Sequence, residues 1–429
     1  MRCPRPRPPE ARTRHGVLRA RKSRPAWLNW IDEPRARDPP ALAQPHRGAA
    51  ALATIALASF VGPAFAQADA SASAAAHAPH AKAGAKKKAK KAKAAAPRDD
   101  DAPDSFVYGR RDDVLAFAAQ VAEERGLDRA WVEDQLSRAR YQPAVAKAIM
   151  PAPAGTAKNW AAYRDRFVEP RRIAAGVQWW QAHAATLEDA QQRYGVPPEL
   201  VAGIVGVETF YGRLTGNFRV LDALATLAFD FPKGRSDRSA FYSGELRAFL
   251  VWCALEGRDA DTVRGSFAGA IGWPQFMPSS LLKYAVDYDH DGRVDLAGGG
   301  DDVVGSIASY LAAFGWQRDM PIYFDAQAPA DHEARARLVA ADIVPKFTAA
   351  ELTEAGAQLP DAARDFPGKL GFVELQNGDA PPSYVAGTSN FYVVTRYNWS
   401  SYYAMAVVEL GAALRREMAL APAARTLPN

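Results

Sequence analysis

A mainly helical fold with a small β part (mainly α, α+β) is predicted by three observations. Apolar residues recur at three- and four-residue spacing in segment after segment between 114 and 314, and again over 401–416. Strand-like stretches are confined to 369–376 and 390–396, where Asn377-Gly378 marks a turn. No repeat of fixed period stands out across the chain.

Residues 1–66 read as a leader. Arg47 precedes the apolar stretch GAAALATIALASFVGPAF (48–65), and Ala64-Phe65-Ala66 closes it, the pattern of a secretory signal cut after Ala66. The apolar part is too short and too Ala-rich for a membrane span. An Arg- and Pro-rich stretch lies ahead of it, so translation is expected to begin inside the leader, near Val17. No cysteine stands at the cleavage site, so a lipoprotein-type anchor is not expected. Residues 67–103 include Lys86-Lys87-Lys88-Ala89-Lys90-Lys91-Ala92-Lys93 and lack the apolar content to fold, which predicts a disordered Ala/Lys-rich linker.

The net charge of +5 belongs to this front end. Residues 1–101 hold 20 Lys/Arg and 8 Asp/Glu, which leaves 33 basic and 40 acidic residues in the remainder, a net of −7. A body of that sign argues against a nucleic-acid-binding core. The two cysteines are Cys3 and Cys253; the second sits in FLVWCAL, which reads as a buried helix with an inert core thiol.

In the body, helices are expected over 114–125, ending at Gly126, and over 129–138, with a long amphipathic stretch at 173–194. The next segment, 197–216, reads PPELVAGIVGVETFYGRLTG. Its prolines suit a first helical turn, where a backbone N–H has no partner to lose. Val201, Ile204 and Val205 form an apolar stripe whose next position is Glu208, with Gly212 and Gly216 as breakers beyond it. A carboxyl on such a stripe is pushed toward the pKa of a general acid. An ion pair with Arg213 or Arg219 would explain it equally well at this point.

Helices at 221–229, 241–255, 303–314 and 401–416 follow the same spacing. Between them, GSFAGAIGWPQFMPSS (265–280) interleaves small residues with aromatics. That suits a sugar groove, with ring faces for stacking and Ser266 and Gln275 for orientation, or else a tight helix–helix contact. Asp287-Tyr288-Asp289-His290-Asp291-Gly292-Arg293 matches the first half of an EF-hand loop, with carboxylates at positions 1, 3 and 5, glycine at 6 and the Arg293 carbonyl at 7. Gly298 replaces the usual closing glutamate, leaving Asp301 and Asp302 to close a lengthened loop. The clustered carboxylates favour a structural Ca²⁺.

VETFYGR around Glu208, GSFAGAIGWPQFMPSS, YAVDYDHDG and NFYVVTRYNWSSYYAMAV together resemble the lytic murein transglycosylase B family, from about Tyr108 to Leu414. The resemblance implies a lysozyme-like catalytic core (196–320, with the EF-hand-like loop), a helical flanking domain (104–195) and a small β-containing subdomain with a closing helix (321–429). It implies a peptidoglycan lytic transglycosylase, which cuts the MurNAc-GlcNAc β-1,4 bond without water and leaves 1,6-anhydroMurNAc ends. Glu208 would be the single acid/base; no second acid has comparable credentials, which fits a substrate-assisted reaction. By the same resemblance Tyr163, Ser266, Gln275, Phe276, Tyr310, Tyr397, Asn398 and Tyr403 line the groove. Arg238 would meet a peptide or lactyl carboxylate of the substrate. The cation ligands would be Asp287, Asp289, Asp291, Arg293 and Asp302, with Asp301 as rival. The loop 233–238 is longer than the family's usual Pro-Arg-Arg stretch. With the secretory leader, this reading predicts a periplasmic protein that acts on peptidoglycan glycan strands without a catalytic cofactor; a monomer, with other cell-wall enzymes as further partners, is the expectation. A lysozyme-type hydrolase and a non-catalytic peptidoglycan-binding scaffold are the alternatives.

Overall fold

Helices begin and end where side chains or strained backbone can satisfy their terminal groups. In the computed structural model, which describes residues 106–151 and 158–420, the first helix, Asp112–Arg125, stops at Gly126, whose φ of 62° is open to glycine at little steric cost. Helix Arg129–Ser137 starts on Asp128, whose carboxylate accepts the Ala130 N–H, and Pro170–Ala182 starts on Glu169, which accepts two amides. The expected signal stretch, its expected cleavage site at Ala66 and the expected linker at 67–103 lie outside the described residues. No helix among the described residues is long and apolar enough to cross a membrane.

The chain is mostly helical, as the spacing predicts. One hydrophobic core runs from Tyr108 to Leu414 and gathers side chains from the early helices, from Pro198–Thr209, Val220–Phe229, Ser239–Glu256 and Asp301–Ala313, and from the closing helix Ser401–Leu420. A second, smaller core lies between Leu338 and Ala386. It packs beneath an antiparallel sheet in which Ala380–Gly387 is the central strand, flanked by Tyr323–Ala326 and Gly371–Asn377. Cys253 is a buried free thiol, and burial pushes its pKa up.

Three elements differ from expectation. The stretch 390–396, expected as a strand, is the helix Ser389–Tyr397. Its β-branched and aromatic residues favour a strand locally, but Thr388 accepts the Asn390 N–H as a cap. Phe391, Val394 and Thr395 then share a buried face at helical spacing, so packing overrides propensity. The hairpin partner of 371–377 is instead Ala380–Gly387, whose Pro381 and Pro382 sit in its exposed first half. The stretch 173–194 is two helices, Pro170–Ala182 and Ala184–Tyr194, divided at His183.

Candidate active site

The helix Pro198–Thr209 is apolar on all sides: every residue from Leu200 to Val207 is buried, and so is Thr209. It lies antiparallel against Ser401–Leu420, and glycines let the two backbones touch. A Cβ on Gly411 would meet the Glu199 carbonyl oxygen at 2.4 Å, and one on Gly203 would meet that of Val407 at 2.4 Å. Four residues further along each helix, the register brings Val207 opposite Tyr403. There the Tyr403 hydroxyl donates to Oε1 of the adjoining Glu208, at 2.6 Å.

Immediately beyond, the helix is stopped by strained backbone. Phe210 (φ 50°) and Tyr211 (φ 54°) are both left-handed, a conformation that costs a non-glycine residue on the order of 1 kcal/mol. The Thr209 hydroxyl donates to the Trp273 carbonyl at 3.2 Å and accepts the Gly212 N–H at 3.1 Å. The Trp273 ring fills a slot between Gly212 and Gly299, where added Cβ atoms would lie 2.0 and 2.2 Å from it. The Trp273 ring is thereby held half-buried between two backbone segments.

No basic group forms an ion pair with Glu208 among the described residues. Arg213 lies over the Phe210 ring, and Arg219 pairs with Asp222 and Asp261. The salt-bridge explanation is thereby removed. Glu208 is only partly open to solvent, and the surrounding protein pushes its carboxyl up to about 7, with the Tyr403 hydrogen bond pulling the other way. Among the described residues no second carboxylate bears on it. Asp222 and Glu245, both buried, are committed to the Arg140 amide and to Ser279.

Aromatic side chains wall this carboxyl. Tyr397 stacks on Tyr403 with centroids 6.3 Å apart, and its hydroxyl donates to the Pro274 carbonyl at 2.6 Å. Tyr310 lies 4.8 Å from Tyr397 and donates to the Arg396 carbonyl, while buried Phe276 packs under both rings. Tyr163 contacts Tyr402, the neighbour of Tyr403, at 5.8 Å. Asn398 follows Tyr397 in extended backbone.

The other candidates serve their own loops. Ser266 accepts the Ala268 and Ala270 amides in the turn that opens the 265–280 segment. Gln275 (φ 51°) spends its amide hydrogens on the Thr215 and Gly272 carbonyls. Arg238 precedes helix Ser239–Glu256 and lies over Phe241 and Tyr242, with Nη1 buried and unpartnered. In the same loop Arg235 donates to the Ile149 carbonyl, while Lys233 is exposed.

Asp287, Asp289 and Asp302 each place a carboxylate oxygen within 4.8 Å of the others. Oδ2 of Asp287 accepts the Gly292 N–H, but its Oδ1 is buried without any hydrogen-bond partner. An orphaned carboxylate oxygen beside two further carboxylates fits a hard cation. Asp302 is also held by the amides of Tyr288 and Asp295. Asp301 turns away, accepting from the Thr186 hydroxyl at 2.6 Å beside His183. Asp291 and Arg293 are exposed, and the Asp291 carboxylate accepts the Arg293 N–H.

Tyr403 as partner of the acid, and Thr209 and Trp273 as supports of its loop, cannot be found from the spacing around Glu208. The only local trace is the small-residue pattern Gly203, Gly206 and Gly212, which signals close neighbours without naming them.

The transglycosylase SLT domain family matches residues 109–412. The chain is 36% identical over 317 residues to membrane-bound lytic murein transglycosylase B of Escherichia coli (strain K12), covering 72% of this chain and 84% of that protein. The fold is similar to that of the Escherichia coli lytic transglycosylase Slt35 in complex with calcium (TM-score 0.64, 35% identity, 72% of this chain and 95% of that one). It is also similar to SltB3 from Pseudomonas aeruginosa in complex with NAG-anhNAM-pentapeptide (TM-score 0.59, 28% identity, 72% and 80%).

Proposed function

The chain belongs to the transglycosylase SLT domain family, and from that membership we propose that it is a peptidoglycan lytic transglycosylase in which Glu208 is the single acid/base. The observation that carries this assignment is a partly buried carboxyl with no ion-pair partner among the described residues, pushed up to about 7 and held by one phenol. Protonated, Glu208 gives its proton to the glycosidic oxygen as the bond from C1 of the muramyl sugar breaks. The resulting carboxylate takes the proton of the C6 hydroxyl as O6 bonds to C1. The proton returns to Glu208 and no water is consumed. The substrate's 2-acetamido oxygen stabilises the cationic centre, so a second carboxylate is not required.

Tyr403 and Tyr397 remain neutral phenols, since burial and the nearby carboxylate both raise their pKa values, and Tyr403 keeps the carboxyl oriented. We assign Tyr163, Ser266, Gln275, Phe276, Tyr310, Tyr397 and Asn398 to the glycan groove, with the buried Nη1 of Arg238 as donor to a substrate carboxylate. The 196–320 region is then the catalytic core, flanked by 104–195 and by the small subdomain 321–429. Asp287, Asp289 and Asp302 would hold a Ca²⁺ that neutralises the loop and has no part in the chemistry; the calcium complex of Slt35 supports this reading. A periplasmic location fits the leader and the substrate.

Digestion of purified sacculi, with product masses read by mass spectrometry, tests the reaction. Anhydro ends absent from the Glu208→Gln digest are expected. Reducing ends one water heavier would establish a lysozyme-type hydrolase instead, and undiminished digestion by the variant would remove Glu208 from its role.

A further inference from the structure

We propose that Arg172, which touches neither Glu208 nor Tyr403, is a positioning residue that fixes where Glu208 points. The inference rests on the assignment of Glu208 as the acid/base. Arg172 lies on helix Pro170–Ala182, and its Nη1 donates to the Gly206 carbonyl at 2.5 Å. Gly206 is two residues before Glu208, in the last turn, and its carbonyl also accepts the Phe210 N–H at 3.1 Å. The hydrogen bonds of a helix's last turn are the first to fray; a guanidinium donor supplied from another helix gives this carbonyl a second tie beside the Phe210 N–H. Unwinding by a single residue would swing the Glu208 side chain about 100° around the axis.

The same guanidinium holds the strained exit. Its carbon lies 4.5 Å from the Phe210 ring centroid and 5.2 Å from that of Phe167, and its Nη2 reaches the Arg166 carbonyl at 3.3 Å. Arg213 lies over the Phe210 ring as well, at 4.9 Å. A left-handed phenylalanine directly after the last helical residue is thus fixed by stacking on planar cations, a contact that lysine's point charge does not reproduce. One residue, then, both ties down the last turn and braces the residue that ends it.

The test compares two arginine ties to the same helix. Arg415 Nη1 donates to Glu199 at its far end, 3.0 Å away, so Arg415→Met reports what loss of a tie costs in stability alone. The enzyme and its Arg172→Met, Arg172→Lys, Phe210→Leu, Arg415→Met and Glu208→Gln variants are assayed on soluble glycan strands, with thermal melts to verify folding. For Arg172→Met the expected result is a kcat about 10- to 100-fold lower with KM within about twofold. Arg172→Lys should recover part of the loss and Arg415→Met should show none. If Arg172→Met does not fold, Arg172→Lys and Phe210→Leu carry the test, each with a kcat reduced about threefold or more. A folded Arg172→Met with wild-type kcat overturns the proposal, as do equal losses in Arg415→Met or wild-type kcat in both Arg172→Lys and Phe210→Leu. An active Glu208→Gln enzyme would overturn the acid/base assignment instead, which separates the two failures.

Discussion

The Tyr403 hydroxyl donates to Oε1 of Glu208 at 2.6 Å, a bond that joins two residues 195 positions apart and favours the ionised carboxyl over the protonated one. Tyr403→Phe should therefore raise the Glu208 pKa still further and loosen its orientation. The expected outcome is a kcat about 10- to 100-fold lower, with the alkaline limb of the kcat–pH profile moved upward. A limb that moves downward, or stays in place, would contradict this account of the bond.

Burial keeps Glu208 protonated to about 7 in the folded protein, against an ordinary value of 4.5. Between those values the folded chain binds more protons than the unfolded one, so stability falls as pH rises across that window. Glu208→Gln removes the ionisation. The variant should match wild type at pH 4 and exceed it at pH 8, by on the order of 1–2 kcal/mol after allowance for partial exposure. Denaturant melts at the two pH values measure it; an equal difference at both would show that ionisation is not the cause.

The unpaired Asp287 oxygen should make the loop a thermal sensor of Ca²⁺. At a cation concentration of about 100 times Kd, the melting temperature is expected to rise by about 5 °C over that in chelator. Asp287→Asn should abolish most of the rise. Identical melts with Ca²⁺ and with chelator would remove the cation from this loop.

Two helical glycines should respond oppositely to alanine. At Gly203 the new Cβ would stand 2.4 Å from a backbone oxygen of the closing helix, whereas at Gly244 it meets nothing within 4 Å. Gly203→Ala should destabilise by about 1–3 kcal/mol and, by parting Glu208 from Tyr403, lower kcat as well. Gly244→Ala should stabilise by roughly 0.5–1 kcal/mol with unchanged kcat. Urea unfolding with parallel assays gives both readouts, and similar behaviour of the pair would mean that backbone contact does not set the helix spacing.

What could be read beforehand was whatever is local. Glu208 shows itself because a helix repeats every 3.6 residues and a carboxyl on its apolar stripe breaks the pattern. The candidate cation loop shows itself because its first carboxylates lie two residues apart, but the choice between Asp301 and Asp302 turns on how helix Asp301–Ala313 sits against Thr186, 115 positions away. Strand Ala380–Gly387 is hidden by its prolines, and helix Ser389–Tyr397 by valines and aromatics whose intrinsic preference packing overrules. The same limit held for the site's aromatic wall. Tyr397 and Tyr403 have no local mark that sets them apart from the many other aromatics; only their likeness to a known family pointed to them.

Because Glu208 sits on the seventh helix of the described residues and Tyr403 on the last, the carboxyl meets its phenol only once segments 195 positions apart have packed together. Until they pack, the carboxyl at position 208 has no phenol to hold it and none of the burial that raises its pKa. The raised pKa of this carboxyl and its orientation are thus properties of the assembled tertiary structure, and loosening the contact between the two helices should remove both together.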